Sequence, residues 1–78
     1  MKLQSMKGIE NLVNLRQLML GHNFIKLIEG LSNCKLLEEL SLEKNEIQRI
    51  QGLEACIYLK KMELGKNKIS RITGIGIL

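Results

Sequence analysis

At 78 residues with a formal net charge of +4, the chain can enclose one small core and leaves no room for a second domain. Its 45% hydrophobic and 26% charged residues exclude a disordered segment, and no apolar run approaches the ~20 residues that span a bilayer. With 3% aromatic residues and neither Pro nor Trp, the core has to be aliphatic.

The opening segment, 1–14, carries Leu3, Met6, Gly8, Ile9 and Leu12 at spacings that recur downstream, and it reads as half of a repeat without its strand. Met1-Lys2-Leu3-Gln4-Ser5 lacks the apolar run of a secretory signal, so a cytoplasmic location, with the nucleus as a further possibility, is expected. From Leu15 onward a period of 22 residues organises the chain, giving repeats 15–36, 37–58 and 59–78 within a single domain. Leu15, Leu37 and Leu59 take position one, Leu18, Leu40 and Met62 position four, and Leu20, Leu42 and Leu64 position six. Position nine is Asn23, Asn45 and Asn67, followed by Ile25, Ile47 and Ile69 and then by Ile28, Ile50 and Ile72. Gly30, Gly52 and Gly74 stand at position sixteen before Leu31, Leu53 and Ile75, and position twenty holds Cys34, Cys56 and Leu78.

Each column has a physical reading. Residues at positions four and six are two apart, so on a strand they share a face and point into the core, with the residues between them outward. An asparagine after the strand can bond backbone groups that a tight turn would leave unpaired, and stacked copies would form a ladder. The Ile-x-x-Ile spacing suits a tight helical or 3₁₀ return, and the glycines allow the backbone to bend or approach closely before the next anchor.

The run Leu37-x-x-Leu40-x-Leu42-x-x-Asn45-x-Ile47-x-x-Ile50-x-Gly52-Leu53-x-x-Cys56 resembles the 22-residue class of leucine-rich repeats, and the resemblance covers essentially the whole chain. It is similar to the class found in the protein-phosphatase-1 regulatory subunit and in ciliary and centrosomal leucine-rich repeat proteins. That resemblance implies an α/β fold: a right-handed solenoid with short parallel strands on the concave side and 3₁₀, short helical or loop returns on the convex side. It also implies an intracellular, non-enzymatic scaffold that binds a protein partner through the concave face.

On that face the sequence places Gln17, Glu39 and Lys61 at position three, Met19, Ser41 and Glu63 at position five, and Gly21, Glu43 and Gly65 at position seven. The candidate partner-binding residues are therefore Gln17, Met19, Glu39, Ser41, Glu43, Lys61 and Glu63. Charge is uneven along the chain: the Leu37 repeat carries −3 and the final one +4. Lys60, Lys61, Lys66, Lys68 and Arg71 could form a basic patch, yet Glu38 and Glu39 share columns with Lys60 and Lys61, so opposite charges pair across strands. Phe24 and Tyr58 are too few to stack nucleic-acid bases, so no nucleic-acid partner is expected. His22 reads as a surface turn residue, and Cys34, Cys56 and His22 lack a metal-ligand spacing, so neither catalysis, a metal nor a cofactor is expected. Cys34 and Cys56 read as small buried hydrophobes. The half repeat at the start and Ile75-Gly76-Ile77-Leu78 at the end carry no recognisable cap, which suggests a piece of a larger repeat protein or self-association through the ends.

Overall fold

The computed structural model describes residues 2–72, with the backbone alone described for Arg71 and Ile72. Gly74, Ile75 and Leu78, the last members of their columns, lie outside the described residues, as does Met1. Among the described residues five short strands follow one another: β1 (Gln17–Met19), β2 (Glu39–Ser41), β3 (Arg49–Ile50), β4 (Lys61–Glu63) and β5 (Arg71–Ile72). They form two open sheets, β1-β2-β4 and β3-β5. Every pairing is parallel, and the partners are 22 residues apart: Leu18 lies beside Leu40, Leu40 beside Met62, and Ile50 beside Ile72. Repeat and fold thus share one period, and the arrangement is compatible with a solenoid of stacked repeats.

The core fills the space between the two sheets with the periodic residues. Leu37, Leu40, Leu42, Ile47 and Leu53 of the middle repeat are all 1% exposed or less, because a repeat on each side covers them. Met6 closes the core from the opening half repeat, whereas Leu12, in the same column as buried Cys34 and Cys56, is 48% exposed. No described coil lies before Leu12 to cover it.

The asparagines stitch each repeat to the preceding one. Asn45 Nδ2 donates to the carbonyls of Leu42 and Leu20 at 2.9 and 3.0 Å, and its Oδ1 accepts from Ile25 N–H at 2.9 Å. Asn67 repeats the pattern one coil on, with its Nδ2 donating to Leu64 and Leu42 and its Oδ1 accepting from Ile47 N–H. Asn23 donates to Leu20 and Gly21 of its own coil and accepts from Leu3 N–H. One amide side chain therefore satisfies turn carbonyls and a neighbouring backbone donor that no ladder reaches.

Of the 3₁₀, short helical or loop returns expected, no helix forms among the described residues. The Ile-x-x-Ile segments bond sideways, with Glu46 N–H donating to Ile25, Lys68 N–H to Ile47 and Ser70 N–H to Gln48. Two of those segments then pair as β3 and β5. Stiff β-branched isoleucines favour such extended backbone, and bonds to the next coil replace those a helix would make along itself. Only after the glycines do i→i+3 bonds appear, as isolated turns such as Cys34 N–H to Leu31 and Leu37 N–H to Cys34. Gly30 and Gly52 have φ of 78° and 73°, and a Cβ on Gly52 would stand 3.2 Å from the Ile28 carbonyl oxygen. The position combines a left-handed backbone with a close approach.

Candidate functional site

The face of the β1-β2-β4 sheet turned away from the core is built from the residues between the inward leucines. Its columns follow the register: Gln17, Glu39 and Lys61 in one, Met19, Ser41 and Glu63 in the next. Gln17 Nε2 donates to Glu39 Oε2 at 2.9 Å, so these two side chains are fixed against each other, while Lys61 is exposed. Met19 is 57% exposed, a bare thioether on an otherwise polar surface. Glu63 is exposed as well.

Ser41 departs from the expectation of an exposed face residue, being only 6% exposed. It lies on the central strand between β1 and β4, and its hydroxyl donates to Glu43 Oε1. That bond, ahead of other causes, holds the Glu43 carboxyl below its ordinary range. Glu43 in turn leans over Gly21, where an added Cβ would come within 2.7 Å of the carboxylate carbon. Gly21 therefore gives the carboxylate its room, and Glu43 acts as a lid over Ser41. Of the seven residues read as the recognition surface, Gln17, Met19, Lys61 and Glu63 are exposed, Glu39 and Glu43 are half-buried, and Ser41 is covered.

One column that the sequence reading assembled only in part, as Glu38 and Lys60 without Arg16, borders this face. Arg16 Nη1 meets Glu38 Oε2 at 2.9 Å, and Lys60 Nζ meets Glu38 Oε1 at 3.1 Å. A single carboxylate bridges cations on both neighbouring strands, and the Lys60 and Arg16 hydrogen bonds hold the Glu38 carboxyl below its ordinary value. The 22-residue period was enough to find Arg16, which stands one column before Gln17. Along the other rim, His22, Lys44 and Lys66 all adopt left-handed backbone, with φ of 61°, 58° and 58°.

The remaining chemistry is sparse. Cys34 and Cys56 are free and buried, and their thiols point at carbonyls of the preceding coil, Leu12 for one and Leu31 for the other. Burial raises both thiols above their ordinary value. Among the described residues no group of three or more His, Cys, Asp or Glu side chains could hold a metal ion. No described helix is long and apolar enough to cross a membrane. Open depressions among the described residues include one of about 400 Å³ lined by Gln4, Phe24, Lys26 and Glu46 and one of about 270 Å³ lined by Leu59, Lys60, Lys61 and Met62.

A family model described as leucine rich repeats in two copies matches residues 13–55, more than half of the chain. No curated protein matches the sequence.

Proposed function

Because the chain belongs to the leucine-rich repeat family, we propose that it is a non-catalytic interaction module that presents the strand face of a right-handed solenoid, its concave side, to a protein partner. Repeats of this family commonly mediate protein–protein contacts. The observation that supports this reading is the exposure of Met19 on that face, with Gln17 on its own strand and Lys61 and Glu63 exposed on β4, two strands away. An apolar contact on a polar surface fits the anatomy of a recognition patch. Three strands make a narrow face, and an interface of ~800 Å² per partner draws on the rims as well. The location proposed is the cytoplasm, with the centrosome, cilium or nucleus open, and the class proposed is the 22-residue one. Neither nucleic acid nor membrane is proposed as a partner.

The test is affinity capture from cell extract with the chain and with a triple variant, Met19→Glu, Lys61→Glu and Glu63→Lys, both shown to be folded by circular dichroism. A protein retained by the parent and lost from the variant supports the strand face as the binding surface. Identical capture by both places recognition elsewhere, on the chain ends or on further repeats of a larger protein. Sedimentation over a hundredfold concentration range reports self-association through the ends directly.

A further inference from the structure

One flank of the stack collects cations that the fold leaves without carboxylate partners. After the Asn turns Ile25 and Ile47 are buried, while Phe24 and Lys26 beside Ile25 and Gln48 beside Ile47 are exposed and Glu46 is half-buried, the alternation of an extended segment. Bonds between coils, from Phe24 N–H to Leu3, Glu46 N–H to Ile25 and Lys68 N–H to Ile47, stack these residues at the 22-residue period. Lys2, Phe24, Glu46 and Lys68 make one column, Gln4, Lys26, Gln48 and Ser70 the next, and the rim residues His22, Lys44 and Lys66 run alongside. The three columns hold five lysines, Lys2, Lys26, Lys44, Lys66 and Lys68, against one carboxylate, Glu46. All five are exposed, and none forms an ion pair among the described residues, whereas Arg16 and Lys60 on the opposite rim share Glu38. Phe24, Lys26 and Lys44 have a described coil on each side and are exposed nonetheless. The flank is therefore a side of the stack, which further repeats would lengthen without covering.

A recess lies within this charge. Gln4, Phe24, Lys26 and Glu46 line the 400 Å³ depression, and the Phe24 ring is 46% exposed. We propose that the flank docks an acidic segment of a partner protein, with an apolar side chain seated against Phe24 and carboxylates before and after it meeting Lys26 and Lys44. Glu46 and Gln4 offer oxygen atoms to main-chain N–H groups of the segment, and the lysines select it by charge. A nucleic acid fits worse, because one aromatic ring cannot stack successive bases and Glu46 sets a negative charge in the recess. A second copy of the chain is a poor occupant, since its consecutive carboxylates, Glu38 and Glu39, are already bonded to Arg16, Lys60 and Gln17. This surface is separate from the strand face: it is read at Phe24, the other at Met19, and either stands without the other.

The probe is a blocked pentapeptide, Glu-Glu-Leu-Glu-Glu, titrated into the ¹⁵N-labelled chain beside its Gln-Gln-Leu-Gln-Gln analogue and a single-stranded oligonucleotide of the same charge. The acidic peptide is expected to bind at least about tenfold more tightly than the analogue and to shift the Phe24, Lys26 and Glu46 amides. Lys26→Glu with Lys44→Glu, shown to be folded by circular dichroism, should weaken binding about tenfold. Lys7→Glu with Lys35→Glu makes the same charge change at exposed lysines elsewhere and should leave binding nearly unchanged. Phe24→Ser should abolish the preference for Leu over Ser at the centre of the peptide. Failure of the acidic peptide to bind, equal losses in the two double variants, shifts centred on other residues, or tighter binding of the oligonucleotide overturns the proposal.

Discussion

At the scale of single residues, Asn45 concentrates the most structure in one side chain. It is 6% exposed and bonds the carbonyls of Leu20, Leu42 and Glu43 as well as Ile25 N–H. Replacing it with Ala strands several buried backbone groups, and urea denaturation should show a loss of about 3 kcal/mol. Asn23, half-buried, should lose roughly 1 kcal/mol on the same change. These asparagines were legible in the sequence because they recur without variation. The strained residues after the strands were not, since His22, Lys44 and Lys66 are one His and two Lys and none is Gly. Left-handed backbone costs an L-residue roughly 1–2 kcal/mol, of which glycine's greater chain entropy returns about half. Lys44→Gly should therefore raise stability by about 0.5–1 kcal/mol in the same assay. Gly52→Ala runs the other way, losing roughly 1–2 kcal/mol to its positive φ, with the Ile28 carbonyl adding a close contact.

At the scale of elements, the strands alone hold few residues, and side-chain columns extend their pairing. Glu38 links β1, β2 and β4 from their leading ends through Arg16 and Lys60. Its carboxyl titrates below the ordinary value of 4.5, so the folded state binds its proton less readily than the unfolded chain. The resulting stabilisation is complete above about 4.5 and is lost as pH falls through the lower folded-state value. Glu38→Gln should flatten the fall of stability with acid in that window, and added salt should do the same to the parent chain, because the pair is exposed. An acid limb of unchanged steepness in the variant rules the bridge out as a contributor. The sequence displayed the opposite charges of Glu38 and Lys60 but left Arg16 unassigned. It also suggested helical returns, because a three-residue apolar spacing fits a turn of helix as well as a stack of extended segments. Cross-coil hydrogen bonds, which no local pattern reveals, decide between them.

At the scale of the whole molecule, the 22-residue period made the parallel sheet, its register and its core columns legible before any coordinates. Burial within the proposed recognition face was not legible. Ser41 occupies a position that alternation turns outward, yet Glu43 bends over it into the space left by Gly21. Which residues remain free to meet a partner thus depends on contacts between different columns, and this moves the weight of the face to Met19, Lys61 and Glu63. The account rests on that face being the one a partner covers, and the thioether of Met19 reports on it directly. Limited peroxide oxidation, read by mass spectrometry, should modify Met19 in the free chain and spare Met6, which is 1% exposed. With a captured partner bound, the account predicts that Met19 is protected while Tyr58, read by hydroxyl-radical labelling, is not. Undiminished oxidation of Met19 in the complex, with protection appearing at Phe24 or Tyr58 instead, would contradict it.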